Sequence, residues 1–351
     1  MKITINKKEY ELQTLDTQAQ ELSKKRWDSI AKPLHSLGKM EDLVMQTAGI
    51  SGDANVSYDK KALIVMCADN GVVAEGVTQS EQNVTAIVSE NFLSDKATAA
   101  ILCKQTGAEI FPIDIGIAVD TKLENHKIAY GTKNMAKEPA MTREEAERAL
   151  EVGIEKVREL SEQGYKIIAT GEMGIGNTTT SSALASYFLN EDVEHMTGRG
   201  AGLTSSALEK KIAVVRKAIA DYSPSFTDAI DALAALGGFD IAGMAGVFIG
   251  GAIYRVPIVI DGFISSAAAL TAVHICPQCR DFIMASHVSK EPAAKKVLDA
   301  LGKEAALHCD MCLGEGTGAV TLFPILDLAT QIYKQMSTFE DIEIDAYVEL
   351  K

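Results

Sequence analysis

Residues 171–182 read Gly-Glu-Met-Gly-Ile-Gly-Asn-Thr-Thr-Thr-Ser-Ser and follow the apolar run Ile167-Ile168-Ala169. This order predicts a strand, a glycine turn and then a helix from Ser181 to Leu189. Glycine lets backbone come close to a ligand. A helix N-terminus offers unpaired N–H groups and a partial positive charge, and the threonines and serines add hydroxyl donors. Together they suit a phosphate; without a ligand, the same residues make a glycine turn with a Ser/Thr cap. Two more glycine clusters lie downstream. Gly198-Arg-Gly-Ala-Gly202 precedes a helix carrying Lys210 and Lys211. Arg199, Lys210 or Lys211 could neutralise a phosphate there. Leu313-Gly-Glu-Gly-Thr-Gly318 sets a single glutamate between glycines. Glu315 could serve as a general base if burial raises its pKa, and is otherwise a solvated carboxylate.

Generic phosphate motifs fit poorly. Gly171-x4-Gly176 has P-loop spacing, but Asn177 stands where the P-loop lysine is needed. Gly174-Ile-Gly176 lacks the third glycine of a dinucleotide fingerprint and the acidic residue that reads the ribose. No strand ending in paired acids precedes a Thr-Thr-Gly loop, as in pyrophosphate-using phosphoribosyltransferases.

The elements that must position these residues follow from the apolar pattern. Short runs at Ala62–Cys67, Glu109–Asp114, Lys166–Thr170, Pro257–Ile260 and Phe282–Ala285 lack polar alternation. They predict strands buried on both faces. Between them lie helical patterns. Thr142 and Glu145 form a capping box ahead of the stripe Ala146, Leu150, Val157, Leu160. Ser206 and Glu209 form another ahead of Leu208, Ile212, Val215, Ile219. Strands alternating with helices predict an α/β fold: a mostly parallel, Rossmann-like sheet covered on both faces. Ligands bind such sheets at the carboxyl ends of the strands. Asp69-Asn70-Gly71, Gly171–Thr179, Asp261-Gly262-Phe263 and Ser286-His287 all follow strands and could converge on one rim. The chain reads as one unit, residues 1–351, with an α/β core over about 55–320. Residues about 1–50 and 322–351 are expected to form a small helical subdomain.

The 351-residue chain has 34 Lys and Arg against 48 Asp and Glu, a net charge of −14. That balance argues against nucleic acid or an anionic membrane as partner. Residues Met1–Leu15 carry no apolar signal-peptide core, so a cytoplasmic location is expected. Ile241–Ile260 is apolar but holds Arg255 and Pro257. It is expected to be a buried helix running into a strand, with no membrane span. Of six cysteines, four form two CxxC pairs, Cys276/Cys279 and Cys309/Cys312. A zinc ribbon uses that spacing; the alternative is a set of reduced thiols.

Two long stretches, Gly171-Glu-Met-Gly-Ile-Gly-Asn-Thr-Thr179 and Leu313-Gly-Glu-Gly-Thr-Gly-Ala319, resemble signatures of the nicotinate-nucleotide–dimethylbenzimidazole phosphoribosyltransferases. Further agreement lies at Ala68-Asp69, Gly71-Val72, Gly198–Gly202, Gly237-Gly238-Phe239-Asp240, Asp261–Ser265 and Ser286–Ser289. The resemblance runs in order from about residue 60 to 325. It implies transfer of the 5-phosphoribosyl group of nicotinate mononucleotide to an aromatic lower-ligand base of cobalamin, such as 5,6-dimethylbenzimidazole. It implies Glu315 as the catalytic base. Gly174, Gly176, Asn177 and Thr178 would hold the ribose phosphate, with charge from Lys211 and help from Ser289. Glu172 would contact the base or ribose. Ser80, Glu81, Val84, Val88 and Leu313 would line the base pocket. Asn70 stands where many members have His, and Glu81, Gln82, Asn83 and Val88 depart from the common pattern. No metal or cofactor is expected, because nicotinate leaves as a neutral ring and no pyrophosphate needs a clamp. A homodimer is expected, with apolar surface on the helices at 222–254 as its candidate contact. The competing readings are a non-catalytic nucleotide-binding homologue and a zinc-binding enzyme built on the CxxC pairs.

Overall fold

The apolar, β-branched runs pair as parallel strands in the computed structural model of the chain, which describes residues 1–347. A hairpin of β1 (Lys2–Ile5) and β2 (Lys8–Glu11) comes first. The main sheet is built from β3 (Lys61–Ala68), β4 (Ala108–Gly116), β5 (Glu124–Asn125), β6 (Ile167–Met173), β7 (Ile258–Ile260) and β8 (Ile283–Ala285). Their order is β5-β4-β3-β6-β7-β8, and every neighbouring pair is parallel. Residues 62–68 of β3 are all fully buried, as a strand covered on both faces requires.

Register aligns the carboxyl ends. Cys67 pairs with Met173 across β3 and β6, and Ile260 pairs with Ala285 across β7 and β8. The turns beginning at Asp69, Gly174, Asp261 and Ser286 therefore leave the sheet on one rim.

The long helix Arg143–Glu162 starts with the expected capping box of Thr142 and Glu145. It packs against the helix Phe239–Tyr254. Side chains cannot separate the two axes: a Cβ on Gly153 would overlap the Gly243 carbonyl oxygen, and one on Gly246 would overlap that of Leu150. The close approach explains why the apolar stretch after Ile241 is rich in glycine. It is a buried helix running into β7, and among the described residues no helix is long and apolar enough to cross a membrane.

Several local expectations change. The helix after β6 begins at Asn177, four residues before Ser181, because Gly176 takes a left-handed φ of +94° and turns the chain into the helix at once. The helix Ser205–Tyr222 is capped by Thr204, whose side chain accepts from the Ala207 N–H, in place of a Ser206/Glu209 box. Within 222–254, Tyr222, Phe226, Ile253 and Tyr254 are half-buried. Leu233, Leu236, Phe239 and Phe248 are buried within the chain. The N-terminal hairpin turns at Asn6 and Lys7, both left-handed. Without an Asn-Gly pair and with only four residues per strand, it escapes pattern reading.

The helices Thr17–Ser29 and Phe323–Gln335 meet through Trp27 and Tyr333, whose ring centroids lie 5.0 Å apart. Arg26 also donates to the Tyr333 carbonyl at 2.9 Å. Trp27 and Tyr333 belong to the same continuous core as the sheet. The last residues, Val348–Lys351, lie outside the described part of the chain.

Candidate active site

A cavity of about 370 Å³ opens on the rim where the strand ends meet. On one side stands the turn Gly174–Gly176 and the first residues of the helix Asn177–Leu189. The turn is packed too tightly for side chains. A Cβ on Gly174 would come within 2.6 Å of the Ala68 carbonyl oxygen. Thr85, fully buried, holds the turn by accepting from the Ile175 N–H at 3.1 Å. Among the described residues, the backbone N–H groups of Gly176 and Thr178 have no partner in the chain. They are the unpaired donors that a helix N-terminus presents to an anion.

Behind Thr178 lies Lys211, fully buried. Its Nζ donates to Thr178 Oγ1 at 2.7 Å and to the Gly198 carbonyl at 3.2 Å. Burial lowers its pKa to about 8, against the pull of the Glu291 carboxylate. Of the three cations considered, only Lys211 is internal. Arg199 is exposed and bonds its own loop at the Leu203 carbonyl and Ser205, and Lys210 is exposed. Ser289 and Glu291 line the same cavity.

The other side is acidic. Glu315 sits at φ +62° between Gly314 at +89° and Gly316 at +83°. Three consecutive residues are therefore left-handed where Glu315 lines the cavity. Its Oε2 is buried and has no hydrogen-bond partner. Burial raises its pKa, the backbone N–H of Ala99 opposes this, and the Asp261 carboxylate adds to it. A half-buried carboxylate with a free oxygen and a raised pKa can take a proton from a bound ligand.

Beneath Glu315, Glu172 is buried and pushed well above the usual carboxylate range by burial and by Asp240 and Asp261. Asn177 bridges Glu172 and Asp240: its Nδ2 donates to both, at 2.9 Å to Asp240 Oδ2. Burial lifts Asp240 to about 6. The Asn177 backbone N–H is taken by the Gly174 carbonyl at 3.0 Å. Both kinds of donor on Asn177 are therefore committed, so it supports the carboxylates and presents no N–H to a phosphate. Asn70 joins this buried group, within reach of Asp240.

Glu172, Gly174, Gly176, Asn177, Thr178, Ser289, Val88, Leu313 and Glu315 all line the cavity. Ser80, Glu81 and Val84 do not; Glu81 is exposed, and Thr78 and Val88 are the lining residues from that segment. The sequence reading expects Asp261 and His287 on this rim but gives them no role, and it gives none to Asp240 or Glu291. The available signal was an acid or histidine directly after a predicted strand, which marks Asp261 and His287.

Of the two CxxC pairs, only Cys312 lines the cavity, beside Leu313. Cys276 and Cys279 are buried, whereas Cys309 and Cys312 are exposed. Among the described residues no group of three or more His, Cys, Asp or Glu is placed to hold a metal ion.

The sequence matches the phosphoribosyltransferase family over residues 12–344. The nicotinate-nucleotide–dimethylbenzimidazole phosphoribosyltransferase of Acetivibrio thermocellus is 49% identical over 330 residues, covering 93% of this chain and 94% of the relative. That of Clostridium acetobutylicum is 49% identical over 340 residues, covering 96% and 97%. The crystal structure of CobT from Thermus thermophilus superposes with a TM-score of 0.89 at 35% identity, covering 94% of this chain and 100% of that one. Such likeness along nearly the whole length, on a fold whose rim carries both signature loops, places the chain in the nicotinate-nucleotide–dimethylbenzimidazole phosphoribosyltransferase family.

Proposed function

We infer that this enzyme transfers the 5-phosphoribosyl group of nicotinate mononucleotide to 5,6-dimethylbenzimidazole or a related aromatic base, releasing nicotinate and forming an α-linked nucleotide. The observation that carries the reading is the opposition, across one cavity, of an unpaired anion cradle and a carboxylate with a free oxygen. The Gly176 and Thr178 N–H groups and the Thr178 hydroxyl receive the ribose phosphate, with charge from Lys211 behind Thr178. Ser289 lines the same cavity. Val88 and Leu313 supply apolar surface for a planar base.

The incoming base attacks C1′ through its free ring nitrogen, and the C1′–N bond to nicotinate breaks. The bond's electron pair stays on the pyridine nitrogen, so a positively charged ring departs neutral. The second ring nitrogen of the base becomes acidic as positive charge develops, and Glu315 takes its proton. Attack opposite the leaving group turns a β-linkage into an α-linkage. Holding both partners in line supplies part of the rate. Glu172, which stays protonated more readily than an ordinary glutamate, contacts the ribose or base without competing for that proton.

Incubation with nicotinate mononucleotide and a panel of benzimidazoles, purines and phenols tests the reading. Release of nicotinate together with an α-nucleotide supports it; no release with any base refutes it. We also take the protein to act in the cytoplasm as a homodimer, a family expectation whose oligomeric part light scattering on the purified chain checks.

A further inference from the structure

We propose that Asp261 is the positioning residue that holds Glu315 in its working conformation, acting through the backbone of Gly316, Gly318 and Ala319. The inference rests on the reading of Glu315 as general base. A glutamate in the left-handed region is strained, and such a residue persists only where its surroundings fix it. One carboxylate supplies three of the hydrogen bonds that fix it to the sheet. Asp261 is 2% exposed and stands at the end of β7, its own N–H bonded to Ser265 Oγ at 3.1 Å. Its Oδ2 accepts from the Gly316 N–H at 3.1 Å. Its Oδ1 accepts from Gly318 at 2.7 Å and Ala319 at 3.1 Å. Gly316 follows Glu315 directly, so the downstream edge of the left-handed run is pinned to the sheet.

Other bonds hold the loop too: the Gly314 carbonyl accepts from the Thr317 N–H at 3.1 Å and from Thr317 Oγ1 at 2.8 Å. The Met311 carbonyl accepts from the Lys290 N–H at 3.1 Å, and the Glu315 N–H reaches Glu172 Oε1 at 3.4 Å. On its far side, Gly318 is closed in by His287: a Cβ there would overlap the imidazole ring. At Gly318 the chain is thus held between Asp261 and His287.

Asp261 also sets the field at Glu315. The titratable groups facing Glu315 are Asp261 after β7 and Glu172 on β6, of which Asp261 acts on it by its charge, with the Ala99 N–H opposite. His287 faces Asp261, and Asp240 reaches Glu172 through Asn177. Lys211 and Glu291 belong to the phosphate end. The Asp261 charge raises the Glu315 pKa, so removing that charge lowers it.

Asp261→Asn keeps the shape, replaces one acceptor oxygen by an NH₂ group and removes the charge. Expected for the full-length enzyme is a fall in kcat of about 10- to 100-fold, the scale of a misplaced catalytic group. KM for nicotinate mononucleotide should stay within about threefold, because the phosphate end is untouched. The acid limb of the kcat–pH profile should move to lower pH. Adding Asp261→Asn to Glu315→Gln should cost under about threefold more, since the first acts through the second. An unmoved acid limb, or losses that multiply in the double variant, overturns the proposal. If the variant does not fold, amide exchange in the wild-type chain decides. Gly316, Gly318 and Ala319 should exchange more slowly than Cys312 and Leu313, and equal rates overturn the proposal. Failure of the wild-type enzyme to release nicotinate would instead reject the reaction, and the exchange result would stand by itself.

Discussion

Glu315 and Glu172 are two glutamates in one cavity with different surroundings. Glu315 keeps one oxygen free, whereas Glu172 is engaged by Asn177 and by the backbone of Glu315. Environments of this kind divide roles between carboxylates. Glu315→Gln is expected to lower turnover by at least about 100-fold while leaving nicotinate mononucleotide affinity nearly unchanged. Stopped-time nicotinate assays and calorimetric binding measure the two separately. A variant turning over at the wild-type rate would remove Glu315 from the mechanism. Asp240 offers a second test. Its folded pKa of about 6 lies above the ordinary aspartate value. Between about pH 4 and pH 6 the folded state holds a proton that the unfolded chain has released, so stability falls as pH rises through that window. Urea unfolding across pH 4–7 should show the slope, and Asp240→Asn should flatten it.

The anion site belongs to a loop and two helices, and no single residue makes it. The turn after β6 delivers N–H groups, and the helix Ser205–Tyr222 delivers Lys211 from behind. Lys211→Met should raise KM for nicotinate mononucleotide by roughly 10- to 100-fold, the worth of a charge-assisted hydrogen bond, with kcat affected less. With a pKa of about 8, Lys211 is charged below that pH and neutral above it. KM in the wild-type enzyme should therefore climb between pH 7 and pH 9, and the climb should vanish in Lys211→Met. The strand–turn–helix order of this element was legible from glycines and β-branched runs. Its helix start was not, because the Thr-Thr-Thr-Ser-Ser run reads as a cap at any of several positions. The committed state of Asn177 was not legible either. Its partner Asp240 lies 63 residues away and meets it only in the fold.

For the whole molecule, the six cysteines report how completely the chain packs. Cys67 and Cys103 lie in the core with thiol pKa values pushed up by burial, and Cys276 and Cys279 are buried beside each other. Only Cys309 and Cys312 are exposed. A bulky maleimide should label those two in the native protein and all six after denaturation. Chelators should leave activity unchanged. Rapid native labelling at Cys276 or Cys279, or activity lost to chelation and restored by zinc, would contradict this packing. The parallel sheet was foreseeable from five strand-like runs alternating with helices. The hairpin and the two-residue β5 were not, because segments so short carry too few residues to show a period.

The sequence by itself determined the elements and the two signature loops. Periodicity, capping residues and glycine turns act over a few residues and are written in the local order. It also determined the family, since two long motifs at fixed separation carry that much information. Only the tertiary structure decided which groups meet. Strand order brings β7 beside β6 and sets Asp261 under a loop 55 residues downstream, at Gly316. Burial then decides charge: it lifts Glu172, Asp240 and Glu315 and depresses Lys211. Desolvation depends on everything packed around a group, and no local stretch of sequence specifies that.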